Sequence, residues 1–172
     1  MQPEIQPSKT FTWSLLVRLT HWLVALCVII NFFNDTGYWH RIIGYACFVV
    51  VLVRLGNGLW ISKHTASRFH LPSFTVIKNH LNALRFGTTS SHIGHNPLGQ
   101  LAVYCMWLLI LLLVFTGWLS RTDLFWGEDW PVDIHTTLSN ILQAMVVLHL
   151  LAVILMSKLQ HKNLIKAILI DK

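Results

Sequence analysis

The chain has 172 residues, of which 54% are hydrophobic and only 12% are charged, and it contains eight tryptophans. This composition excludes an ordinary soluble domain and favours a membrane protein that crosses the bilayer several times. The net charge of +6 does not indicate nucleic-acid binding, because most of the cations flank apolar segments on one side of the predicted membrane.

Four apolar segments are each close to the length of about 20 residues that a helix needs to cross a bilayer core of about 30 Å. They lie at 13–33, 42–60, 98–120 and 135–158. Because these segments occupy most of the chain, we predict a single all-α domain over residues 1–172, a four-helix transmembrane bundle. The three cysteines fall inside the segments and are interpreted as buried packing residues, namely Cys27, Cys47 and Cys105.

The first segment carries Arg18 and His21, which are three residues apart and therefore share one helix face. The helix of the second segment opens with His40, just before the apolar run, and Gly44 follows one turn later on the same face. A glycine there suits either a flat cofactor lying against the helix or ordinary small-residue packing between membrane helices. Arg54 comes fourteen residues after His40, near the other end of the helix.

The loop 61–97 contains an apolar periodicity that predicts an amphipathic helix at about 73–86, lying in the membrane interface. Asn96 and Pro97 are a suitable N-cap and first residue for the next helix. The loop also holds five histidines without the paired spacing or the cysteines of a zinc motif, so we interpret them as solvated. They are His64, His70, His80, His92 and His95.

The third segment contains no histidine, and Gly117 near its end leaves space for a cofactor. The fourth carries His135 and His149, fourteen residues apart. This spacing corresponds to about 21 Å along a helix and a rotation of only about 40°. Both imidazoles therefore point to nearly the same side at two depths. Ionisable groups inside a membrane helix are costly and usually mark function.

Eleven of the thirteen basic residues lie on the side that holds both termini and the 61–97 loop. Only two cations lie on the opposite side, against five carboxylates. The positive-inside rule therefore predicts that both termini are cytoplasmic.

This topology pairs the histidines by depth, His21 with His149 on the inner side and His40 with His135 on the outer side. Two histidines from facing helices at one level suit axial ligation of a b-type haem. A proton or metal pathway, which also uses intramembrane histidines, is the alternative.

Two arginines, Arg18 and Arg54, lie at the inner level. Their planar guanidinium groups suit the carboxylates of the inner haem. Covalent c-type haem is excluded because the chain has no C-x-x-C-H motif.

The chain resembles the bacterial cytochrome b561 family, which is related to the b-type cytochrome subunits of nickel–iron hydrogenases and formate dehydrogenases. The resemblance covers almost the whole chain. The matching residues are Arg18-Leu19-Thr20-His21-Trp22, His40-x-x-x-Gly44 with Arg54, Asn96-Pro97-Leu98-Gly99, and His135 to His149 with Leu138, Asn140 and Leu148 between them.

The resemblance implies a diheme protein of the bacterial inner membrane with two non-covalent haem b groups. His21 and His149 would ligate the inner haem iron, and His40 and His135 the outer one, with Gly44 packing against the haem. Such a protein would carry electrons between membrane quinone and a redox partner, such as a periplasmic c-type cytochrome or a hydrogenase-like enzyme. A homo-oligomer is compatible with the sequence.

Two other functions are weighed against this electron conduit. A superoxide:quinone oxidoreductase is disfavoured by an acidic outer side, which repels an anionic substrate and attracts a lysine-rich cytochrome. A non-haem proton or metal transporter would use the same histidines, and the purified protein would be colourless because it would hold no haem. The acidic residues are Asp123, Glu128, Asp129 and Asp133.

Overall fold

The computed structural model describes residues 13–61, 71–85, 97–159 and 163–169. Within these ranges the chain forms helices and no strand. The main helices are α1 (Leu15–Phe33), α2 (Gly37–Gly56), α3 (Phe74–Arg85), α4 (Pro97–Leu119), α5 (Trp130–Leu159) and α6 (Leu164–Leu169). Four of them, α1, α2, α4 and α5, are long and apolar enough to cross a membrane. The predicted all-α fold with four membrane helices is confirmed.

The membrane helices pack in chain order, α1 against α2, α2 against α4, and α4 against α5. Short links, 34–36 and 120–129, join helices at one end of the bundle, which we call the short-loop end; the opposite end is the long-loop end. The centre is a small apolar core, and most large apolar side chains elsewhere are exposed, as faces toward lipid require. The buried core residues are Cys47, Val51, Ile110 and Leu142.

The cysteines follow the prediction only in part. Cys47 belongs to the core and Cys27 packs against it. Cys105 is exposed on α4, so its interpretation as a buried packing residue is wrong. A thiol on an apolar membrane helix tolerates a lipid-facing position because it behaves as a small hydrophobic group.

Two helices begin earlier than the apolar pattern indicates. The helix predicted at 42–60 begins at Gly37, whose φ of +91° turns the chain out of the short link. The helix predicted at 135–158 begins at Trp130, with Pro131 in its first turn. The first residues of both helices include polar side chains, which lower the local hydropathy even though the backbone there is helical. As a result His40 and His135 each lie about a turn inside a helix.

The amphipathic helix α3 lies within the predicted range and packs against α4. Its apolar residues Phe74 and Leu81 are exposed, as an interfacial helix requires. The predicted N-cap Asn96 and four of the loop histidines (His64, His70, His92 and His95) lie outside the described residues, as does the side chain of His80.

The short helix α6 folds back onto the long-loop end of the bundle. The backbone N–H of Leu164 donates to Ser157 Oγ at 3.2 Å, which holds the start of α6 against the end of α5. The indole Nε1 of Trp22 on α1 donates to the carbonyl oxygen of Ile168 at 3.3 Å. The tail thus connects α5 to α1.

Candidate functional site

His40 is held by the end of α1 and by the short link that follows it. Its Nδ1 lies 2.7 Å from the carbonyl oxygen of Asn34. Because a carbonyl oxygen can only accept, Nδ1 donates this hydrogen bond and Nε2 is left as the nitrogen able to bind a metal. The side-chain amide of Asn31 donates to the carbonyl oxygen of His40 at 3.1 Å, which fixes the backbone at the same point.

His135 is held by α4, the membrane helix that has no histidine. Its Nδ1 lies 3.0 Å from the carbonyl oxygen of Leu113 and 3.1 Å from Thr116 Oγ1. The buried Thr116 hydroxyl donates to the carbonyl oxygen of Leu112 at 2.9 Å, so it can accept from His135. Metal-binding histidines commonly donate their second ring nitrogen to a carbonyl in this way, which fixes the tautomer.

Gly117 allows the ring of His135 to approach α4. A Cβ at this position would lie 3.2 Å from Cε1 and 3.3 Å from Nδ1 of His135. The glycine was expected to leave space for a cofactor. In the structure the space is taken by the imidazole itself, so the glycine positions a side chain of the site.

The two imidazoles meet at the short-loop end of the bundle. The ring centroids of His40 and His135 are 6.0 Å apart, with the ring planes at 69°. A metal–imidazole bond of about 2 Å on each side would place the centroids of two rings roughly 6 Å apart. The structure therefore brings this predicted pair together, with a ring separation compatible with two ligands of one metal ion.

Both rings line a cavity of about 250 Å³ formed by α1, α2, α4 and α5. Gly44 also lines it, and a Cβ there would approach only Asn31 Nδ2, at 3.7 Å. Asn31 Oδ1 is buried and has no hydrogen-bond partner among the described residues. Two neighbouring imidazoles in a mainly apolar cavity, with no side chain at Gly44, suit a flat, iron-containing macrocycle.

The second predicted pair lies deeper. It consists of His21 on α1 and His149 on α5, both in the long-loop half of the bundle. His149 is half-buried, while His21 is exposed on the surface of the described chain. The ring of His21 meets Trp22 edge-on, with centroids 5.3 Å apart.

Two buried arginines lie in the long-loop half of the bundle. Arg18 and Arg54 are 8% and 7% exposed, and Arg18 is three residues before His21. The guanidinium of Arg54 lies 5.7 Å from the ring centroid of Trp107 on α4, a cation–π arrangement. Arg54 therefore points toward α4, while Arg18 belongs to the helix that carries His21.

Sequence reasoning missed two residues of the site, Asn31 and Thr116. Both are polar residues inside apolar helices, and this was the available signal. Their partners, the carbonyl oxygens of His40 and Leu112, are set by helix packing and local backbone geometry. No group of three or more His, Cys, Asp or Glu able to hold a bare metal ion occurs within the described ranges.

The family model for prokaryotic cytochrome b561 matches residues 12–170. The chain belongs to the prokaryotic cytochrome b561 family. It is thus a membrane b-type cytochrome of electron transfer, and the resemblance inferred from its motifs is confirmed. No curated protein and no solved structure matched the cytochrome significantly.

Proposed function

We propose that the cytochrome holds two haem b groups and carries electrons between membrane quinone and a protein redox partner. His40 and His135 ligate the outer haem, at the short-loop end, and His21 and His149 ligate the inner haem. The observation that carries the proposal is the first pair. Its rings are 6.0 Å apart, and a backbone carbonyl holds each Nδ1 so that Nε2 is the ligating atom.

The helix α5 supplies one histidine to each haem. His135 and His149 are separated by about 21 Å along the helix axis, from the rise of 1.5 Å per residue. The two sites therefore lie at different depths of the apolar region. Bound haem iron supplies reversible one-electron oxidation and reduction. The protein's part is to fix the ligands, exclude water and set the local charge.

Arg18 and Arg54 are proposed to balance the carboxylates of the inner haem. Both are buried in the half of the bundle that contains His21 and His149. A buried cation in a membrane helix is costly and is usually retained for function. Gly44 is proposed to pack against the outer haem, since it lines the cavity without a side chain.

The short-loop end offers an acidic surface for a partner. Asp123, Glu128, Asp129 and Asp133 are all exposed. Such a surface complements the lysine-rich face of a c-type cytochrome, and charge complementarity mainly raises the association rate. A hydrogenase-like enzyme remains the second partner class. Quinone is proposed to exchange electrons with the cytochrome within the bilayer.

The test is haem content and electron transfer in the purified protein. We expect a reduced-minus-oxidised spectrum of a b-type cytochrome with two haems per chain. The reduced protein should be oxidised rapidly by a c-type cytochrome, and the oxidised protein should be reduced by a quinol. A colourless protein, or two haems that survive alanine substitution of His40, would contradict the proposal.

We also propose that both ends of the chain are cytoplasmic and that the short-loop end faces the periplasm of a bacterial inner membrane. The concentration of basic residues in the tails and the 61–97 loop supports this orientation. A fluorescent protein fused after Lys172 should fold and fluoresce. Alkaline phosphatase at the same position should be inactive, and the opposite result would reverse the topology.

One observation favours a second function, oxidation of superoxide with quinone as the acceptor. Arg41 and Arg121 line the cavity together with His40 and His135. The cavity lining is therefore positively charged, unlike the acidic surface around it. Rapid reduction of the oxidised protein by superoxide, with delivery to quinone and no reaction with a c-type cytochrome, would select this function.

A further inference from the structure

The cations of the short-loop end are separated from its carboxylates. Residues 34–41 and 120–133 contain two cations, Arg41 and Arg121, and five carboxylates. Both arginines line the cavity that contains His40 and His135, whereas Asp35 is the only carboxylate of the five in its lining. The excess negative charge of this end therefore lies outside the cavity, and the lining itself has a net positive charge.

The two arginines come from different helix ends. Arg41 directly follows His40 in α2 and is half-buried, and Arg121 lies two residues beyond the end of α4 and is exposed. No salt bridge joins either of them to a carboxylate of the described chain. An arginine fork matches a carboxylate with two parallel hydrogen bonds, so the pair suits a ligand with two carboxylates on one edge.

Haem b has this distribution of charge, with two propionate carboxylates on one edge of an otherwise apolar ring. We propose that Arg41 and Arg121 bind the carboxylates of the outer haem and so fix which edge of the ring faces the short-loop end. This inference rests on the proposed ligation by His40 and His135. It assigns to the outer haem a pair of cations separate from Arg18 and Arg54.

The test measures the outer haem in the intact holoprotein. The variants are Arg41→Gln and Arg121→Gln, with Asp35→Asn as the matched control in the same cavity lining. Loss of a charge-assisted hydrogen bond, worth about 1.5–3 kcal/mol, corresponds to a release rate increased roughly 10- to 100-fold. We therefore expect outer haem to pass to excess apomyoglobin about that much faster in each Gln variant, but no faster in the control.

A potentiometric titration gives a second, independent measurement. A nearby cation favours the reduced form of the iron, which has one positive charge less, so each Gln variant should lower the outer haem's midpoint potential. The inner haem should keep its potential and serves as the internal reference. Arg41→Lys and Arg121→Lys should restore the potential but not the full haem retention, because lysine keeps the charge without the bidentate fork.

The outcomes separate this inference from the proposed function. If both Gln variants keep two haems with unchanged release and unchanged potentials, the carboxylate assignment is wrong and the ligation by histidine stands. If release is unchanged but electron uptake from superoxide falls, the arginines bind a substrate anion instead. If the wild-type protein has no haem that depends on His40, both inferences fail.

Discussion

The substitution Gly117→Ala tests directly whether the close approach of the His135 ring to α4 determines how the outer haem is bound. The new Cβ would lie 3.2 Å from Cε1 and 3.3 Å from Nδ1, closer than the 3.4 Å at which ordinary contact begins. The ring must recede from α4 by a few tenths of an ångström. Its two Nδ1 hydrogen bonds, now 3.0 and 3.1 Å long, would then exceed the usual limit of about 3.2 Å for N–H···O bonds.

The expected loss is about 1 kcal/mol, the net value of a typical intramolecular hydrogen bond. This corresponds to roughly fivefold weaker binding of the outer haem, since 1.4 kcal/mol is about a factor of ten. The helix itself should not be weakened, because alanine is the better helix former by about 1 kcal/mol. A weaker hydrogen bond also makes the imidazole less basic, so the outer haem's potential should rise.

Haem per chain and a spectroscopic redox titration of the purified variant measure both effects. The inner haem in the same molecule is the internal reference. Ser120→Ala is a matched control, because the Ser120 hydroxyl donates to the carbonyl oxygen of Gly117 at 3.1 Å and makes no hydrogen bond to His135 within the described part of the chain. Unchanged outer haem affinity and potential in Gly117→Ala would refute the reasoning.

Four further predictions concern the support of His135, the ligands of the inner haem, the cavity wall and the acidic surface. Thr116→Val removes one of the two acceptors of the ring Nδ1 and should raise the outer haem's potential in a redox titration; an unchanged value would show that the hydroxyl has no part in seating the ring. His149→Ala should leave one haem per chain with the outer haem's potential, measured by haem assay and titration, and two remaining haems would disprove the depth pairing. Gly44→Leu should place a side chain in the cavity and reduce the outer haem content measured by absorbance, whereas full occupancy would mean that the haem lies elsewhere. The double variant Glu128→Gln with Asp129→Asn should be oxidised by a c-type cytochrome up to about tenfold more slowly than the wild type at low salt, with a weaker salt dependence, in stopped-flow measurements. If variant and wild type had equal rates at all salt concentrations, this surface would not be part of the docking site.

The pairing of His40 with His135 followed from helix order and residue spacing alone. Each helix crosses the bilayer once, so position along the chain gives depth, and histidines at one depth can meet. The ring separation of 6.0 Å agrees with that reasoning. The orientation of each ring could not be derived in this way, because it depends on which carbonyl oxygens face Nδ1.

The role of α4 was the least predictable part of the site. Having no histidine, it was expected to contribute only space, through Gly117. In the structure it supplies the two acceptors that hold His135, one of them the carbonyl oxygen of Leu113. Every residue has a carbonyl, so no sequence pattern identifies the one that is used. Thr116 was open to prediction, because a buried hydroxyl in an apolar helix needs a partner.

The position of α5 in the chain has a consequence for how the protein is made. Helices enter the membrane in the order of synthesis, and α5, Trp130–Leu159, is the last of the four that can cross it. Under the proposed ligation each haem takes one histidine from α5. Neither site is therefore complete when only α1, α2 and α4 have been inserted into the membrane. Haem loading then belongs to the end of biogenesis, and a chain truncated before α5 would have half of each ligand set and would hold neither cofactor.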